Sequence, residues 1–160
     1  MISSADCIIP LEELVPLIRE RLEAGYRVKS LTFRGVSMLP MLRQGMDTVE
    51  LSPLPEKLKK YDLPVYQRAD GKLVMHRVWD VKEDHYICMG DNTEAFEKIY
   101  PHQMIGVVSA FKRGEKRIEV TDPAYQRYCR AWRLTRPFRR AYKWTKRLVR
   151  KCLKLLLGEK

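Results

Sequence analysis

The 160 residues are enough for one domain with its own core, and 31 Lys+Arg against 20 Asp+Glu leave the chain at +11. The excess sits at one end: residues 123–160 carry 13 Lys+Arg and one acid, Glu159, whereas residues 1–122 sum to −1. No run approaches the ~20 apolar residues of a membrane span, and the acidic start is unlike a secretory signal. Cys7, Cys88, Cys129 and Cys152 are scattered without a C-x-x-C pair, which argues for reduced thiols in a cytoplasmic setting over a disulfide frame or a zinc site.

In chain order, Leu11, Leu14, Val15, Leu17, Ile18 and Leu22 recur at helical spacing ahead of Gly25, which predicts a helix over 11–24. From Tyr26 the period becomes two. Short apolar runs follow at Thr48–Leu51, Leu63–Tyr66, Leu73–Val81, Tyr86–Met89, Ile105–Phe111 and Arg117–Thr121, with hairpin turns predicted at Asp70-Gly71 and Arg113-Gly114. Close-spaced short strands without long intervening helices predict a mainly β (α+β) fold, an antiparallel domain over 1–122. Residues 123–160 read as a basic amphipathic helical tail divided at Pro137. Beyond it Phe138, Ala141, Tyr142, Leu148, Val149, Cys152, Leu153 and Leu156 share one stripe and Lys and Arg fill the other faces, a pattern suited to lying on an anionic membrane surface through residues 138–157. Folding back on the body is an equally weighted use of such a tail, and nucleic-acid binding through Tyr125, Tyr128, Trp132, Tyr142 and Trp144 a less favoured one.

Three short boxes carry the chemistry. Gly35-Val36-Ser37-Met38-Leu39-Pro40 follows a predicted strand, and its serine is either the cap of a turn or an exposed nucleophile. His76, inside Leu73–Trp79, is either a core histidine or the base that such a serine needs; His85 and His102 read as solvated turn residues. Gly90-Asp91-Asn92 ends a strand, so Asp91 either bonds its own turn or orients a histidine.

Taken together, Gly35-x-Ser37-Met38-x-Pro40, Val74-x-His76-Arg77-Val78 and Gly90-Asp91-Asn92 resemble the signal peptidase family, serine peptidases that share a fold with self-cleaving SOS repressors. Four fixed residues in six arise by chance in a chain this long on the order of once in a thousand, before the later boxes are required in order. The resemblance covers Tyr26 to Phe111, and His76-Arg77 in the base box places it with the Ser–His branch rather than the Ser–Lys branch. It implies a serine endopeptidase without cofactor or metal, acting on a peptide or protein substrate such as a small precursor or leader peptide. Ser37 is then the nucleophile, His76 the general base, Asp91 the orienting acid and Glu97 a second acid, with Glu94 competing for that last role. Asp91 would set an apparent pKa for His76 at or above the ordinary ~6.5. The sequence departs from the family at Glu97, where that branch has aspartate, at Gly45-Met46-Asp47 and Tyr61-Asp62, where the family has Gly-Asp, and at Gly35, which offers no hydroxyl to an oxyanion. A non-catalytic, repressor-like binding protein is the alternative. Without the family's membrane anchor, the expected location is the cytoplasm or the inner face of the cell membrane.

Overall fold

The computed structural model describes residues 13–157, which form an α+β protein of three helices and nine antiparallel strands in two sheets. The first helix, α1 (Val15–Glu23), buries Val15, Ile18 and Leu22 on one face. It ends where glycine is required: Gly25 takes φ +83°, its N–H bonds Leu22 O, and the Tyr26 N–H reaches back to Arg21 O. The helix is shorter than the 11–24 span expected from periodicity, and positions 11 and 12 lie outside the described residues.

Strands β1 (Val28–Leu31), β2 (Thr48–Ser52), β3 (Pro64–Gln67), β4 (Leu73–Met75), β8 (Met104–Arg113) and β9 (Lys116–Glu119) make a six-stranded sheet. Its order is β1-β2-β8-β3-β4, with β9 also on β8. The second sheet is β5 (Arg77–Val81), β6 (Tyr86–Met89) and β7 (Glu97–Ile99). Tyr66, Val78, Tyr86, Cys88, Ile99 and Met104 from both sheets bury together with Leu58 in one cluster. The run expected as one strand over Leu73–Val81 is two: it leaves the first sheet after Met75 and joins the second at Arg77, and His76 stands at the crossover. Strand β7, whose charged Glu97-Lys98 pair hides the β pattern, was not foreseen. The turns at Gly71 (φ +82°) and Gly114 (φ +59°) close the β3–β4 and β8–β9 hairpins. Tyr61 also takes a left-handed backbone, φ +81°.

Helix α2 (Pro123–Leu134) starts at Asp122, whose carboxylate accepts the Ala124 N–H at 2.7 Å, and α3 (Arg136–Leu157) follows after Thr135. Pro137 sits in the first turn of α3, where its missing N–H costs nothing. The chain divides within α2 into two compact units, Met1–Tyr125 and Gln126–Lys160. No helix among the described residues is long and apolar enough to cross a membrane.

In the first unit α1 rests on β8 at Gly106. A Cβ there would stand 2.6 Å from Leu22 Cδ1 and 3.1 Å from Ser52 O. Gly106→Ala is therefore expected to destabilise the fold by about 1–3 kcal/mol in denaturant titration. Combined with Leu22→Ala it should cost less than the sum of the two, because the second change makes room for the added methyl.

Candidate functional site

The Ser37 loop is built from its ends. Gly35 takes φ +111°, a backbone that a side chain resists, and lets the chain turn out of the strand region into the loop. Met38, Met41 and Leu42 are buried and anchor the loop below, and the Leu42 N–H bonds Met38 O. Its far end is locked by Asp47, which accepts from the Arg43 backbone N–H, Nε and Nη2; those bonds outweigh burial and hold the Asp47 carboxyl below its usual range. Ser37 is left half-buried at the surface of the loop. Among the described residues the backbone N–H groups of Ser37 and Met38 donate to no protein acceptor.

The Gly90–Asn92 turn docks on this loop. The Asn92 N–H donates to Ser37 O at 2.7 Å and its side-chain Nδ2 to Val36 O at 3.2 Å. Gly90 is pressed into the junction: a Cβ on it would lie 2.7 Å from Ser37 O and 3.0 Å from His76 Nε2 and Cδ2. The Ser37 backbone and the Nε2 edge of His76 thus share the space beside one residue.

On the other edge of the ring, His76 Nδ1 lies 3.0 Å from Tyr66 Oη and 3.3 Å from Glu97 Oε1. Tyr66 has one hydroxyl proton and donates it to Glu97 Oε2 at 2.9 Å. A carboxylate cannot donate and the tyrosine proton is already committed, so the hydrogen between the histidine and these acceptors belongs to Nδ1. The neutral ring then carries its lone pair on Nε2, toward Gly90 and Ser37. Glu97 is steadied in turn by the Arg68 guanidinium, through Nε at 3.0 Å and through Nη2.

Asp91, expected to orient His76, does something else. Both its oxygens accept from Arg77, from Nε at 2.8 Å and from Nη2 at 2.7 Å, in a buried bidentate pair. Arg77 also donates to Tyr125 Oη at 2.8 Å. The carboxylate at the histidine is Glu97, while Glu94 is exposed. His85 pairs with its neighbour Asp84, and His102 is exposed. Tyr66 and Arg68 were not singled out as site residues. Their only signal lay in strand register: Tyr66 on β3 opposes Val74 on β4, two residues before the histidine. Tyr125, counted among the aromatics that could grip nucleic acid, is instead buried with its hydroxyl on Arg77.

Burial is the largest influence on His76 and pushes its pKa below the ordinary value. Glu97 and Asp91 act upward and Arg68 downward, without reversing it. The expected upward shift is therefore corrected: desolvation of the imidazolium outweighs the carboxylates. Burial raises the Glu97 carboxyl, but hydrogen bonds from Arg68 and Tyr66 and the charges of His76 and Arg68 bring it below the usual range. Cys88, fully buried on β6, has its thiol pushed up to about 12 by burial and by the charge of Glu97.

Beside these residues lies a cleft of about 370 Å³. Ser37, His76 and Glu97 line it, with Met38, Leu42, Val49 and Val74 supplying apolar wall and Leu73–Met75 of β4 forming one side. Strand β4 is the last of its sheet, so its outer backbone edge pairs with no strand among the described residues. Among the described residues no group of three His, Cys, Asp or Glu side chains is placed to hold a metal ion. Compared with known proteins, the chain matches no family model, no curated protein and no solved structure.

The pKa ordering is testable by NMR titration of the histidine ring protons. His76 should titrate below ~6.5, lower still in Glu97→Gln and higher in Arg68→Gln, as the removed charges dictate. Because the folded pKa is the lower one, the unfolded chain binds more protons between the two values. Folding stability from this group is then complete above ~6.5 and falls as the pH drops through that window.

Proposed function

We propose that this chain is a serine endopeptidase in which Ser37 is the nucleophile and His76 the general base, as the resemblance to the Ser–His branch of signal peptidases implies. The observation that carries this reading is the junction at Gly90, where the Ser37 backbone and the proton-accepting Nε2 of His76 lie against the same point. A histidine fixed as the Nδ1–H tautomer by Tyr66 and Glu97, and neutral at physiological pH through burial, has the protonation state a base requires.

In the reaction, Nε2 takes the Ser37 hydroxyl proton as Oγ attacks the peptide carbonyl. The oxyanion that forms is received by the N–H groups of Ser37 and Met38, since Gly35 has no side chain to help. The imidazolium then gives its proton to the leaving amine as the C–N bond breaks, and a water deprotonated by Nε2 hydrolyses the acyl-enzyme. Glu97, through Tyr66 and directly, stabilises the imidazolium of both steps. The scissile peptide would lie extended along the open edge of β4, where main-chain hydrogen bonds can add it to the sheet. A small precursor or leader peptide inside the cell fits this arrangement, and the separate thiols of Cys88, Cys129 and Cys152 are at home in a reducing compartment.

A fluorophosphonate probe should phosphonylate wild-type protein at Ser37 Oγ, with loss of fluoride, and leave Ser37→Ala unlabelled; a wild-type chain that stays unlabelled under conditions where it is folded overturns the reading. With a cleavable peptide in hand, Ser37→Ala and His76→Ala should each remove nearly all turnover, and the double variant little more, because the pair acts as a unit. Gly90→Ala should remain folded and lose roughly a hundredfold in kcat/KM, since its methyl group displaces Ser37 from His76. The pH profile of kcat/KM should rise through a value below ~6.5 and move further toward acid in Glu97→Gln; a rise only near pH 9 would assign the base to a lysine.

A further inference from the structure

The second unit carries a feature that the peptidase chemistry does not use. Helix α3 holds nine Lys and Arg and no acid over its 22 residues. At roughly 100° per residue, all nine positions fall in one arc of about 140°. Phe138, Ala141, Tyr142, Leu148, Val149, Cys152 and Leu153 occupy the opposite side. The large apolar side chains there are exposed: Phe138 is 75% accessible, Tyr142 66%, Val149 56%, Leu153 50% and Leu148 46%. Trp144, also exposed, stands at the border between the two arcs.

An apolar face left in water is costly, so a partner must satisfy two demands at once, removing that face from water and meeting a dense strip of positive charge. A nucleic acid meets only the second. Its phosphates would take the cationic arc and leave the five large apolar side chains where they are. Of the aromatics a base could stack on, Trp132 is already stacked on Tyr128 and capped by the Arg139 guanidinium 3.6 Å from its ring centroid. An anionic lipid leaflet meets both demands, since acyl chains accept the apolar face while the headgroups complement the cations on either flank. The helix is about 33 Å long. Its charge excludes spanning the bilayer, and its length lets it lie flat across several headgroups.

We propose that α3 is a membrane-surface anchor that binds anionic phospholipid with its Phe138–Leu153 face in the acyl boundary and its Lys/Arg arc among the headgroups. This inference stands apart from the peptidase reading and is tested without any activity measurement. Full-length protein is mixed with vesicles of phosphatidylcholine alone or with phosphatidylglycerol, at low and high salt, and the bound fraction is read by sedimentation. Binding is expected on the anionic vesicles, weaker at high salt, and slight on phosphatidylcholine. Leu148→Glu/Leu153→Glu, which changes exposed positions, should weaken it on the order of a hundredfold. Arg140→Gln and Arg147→Gln should weaken it about fivefold each. A polarity-sensitive fluorophore on Cys152, in a Cys7→Ser background, should shift to the blue on vesicles and stay unshifted with duplex DNA. Absence of vesicle binding at low salt overturns the proposal. So does DNA binding that survives the double glutamate change while vesicles are ignored, or a fall in melting temperature in that variant without vesicle binding, the mark of a helix packed on its own protein.

Discussion

The constraint on which the first unit's site depends is the absence of a side chain at position 90. Ser37 O, the His76 ring and the Gly90 Cα crowd so closely that a single methyl group has no place among them. The Asn92 N–H bond to Ser37 O holds the contact from one side. The Arg77–Asp91 pair holds it from behind. Since that pair is buried and bidentate, removing either partner would strand a charge and cost about 3–5 kcal/mol, far more than a surface ion pair contributes. Three separate stretches of chain are thus forced into one register by sterics, by a backbone hydrogen bond and by a buried charge pair.

Much of this was legible in sequence because it is local. Period-two runs between turn residues marked most of the strands, Asp70-Gly71 and Arg113-Gly114 marked two hairpins, and the +12 of residues 123–160 marked the start of the helical tail. The crossover at His76 was not legible, since Leu73–Val81 alternates without interruption and nothing in it says that the sheets change. The misassignment of Asp91 has a similar cause. Neighbours along a strand face opposite ways, and so do Gly90 and Asp91 in the facing turn. Gly90 therefore meets His76 while Asp91 meets Arg77. A pattern of boxes gives the order of residues but not which of two adjacent side chains looks at which. Tyr66 and Arg68 were hidden for the same reason, because they reach Glu97 through the pairing of β3 with β4 and the folding of one sheet on the other.

The two units also differ in how charge is handled. In the first, cations meet acids: Arg43 meets Asp47, Arg68 meets Glu97, Arg77 meets Asp91 and Arg117 meets Glu50 and Glu119. These pairs fix loops and strands in place. The sequence of α3 holds nine cations and no acid, so the helix carries charge of one sign only. Salt in the buffer accordingly screens the field of α3 and the exposed pairs of Arg117, and leaves the buried Arg77–Asp91 pair nearly untouched.

Cys88 lies beside this machinery on β6, sealed in the core, with its thiol held at about 12. At neutral pH it stays protonated, and the thiolate is the form that attacks peroxide, disulfides and alkylating reagents. The sulfur nearest the charge network is therefore chemically silent. Among the described cysteines, oxidants and thiol reagents will find Cys152, exposed on α3, instead, so oxidation of these thiols falls on the second unit and spares the buried network around Glu97.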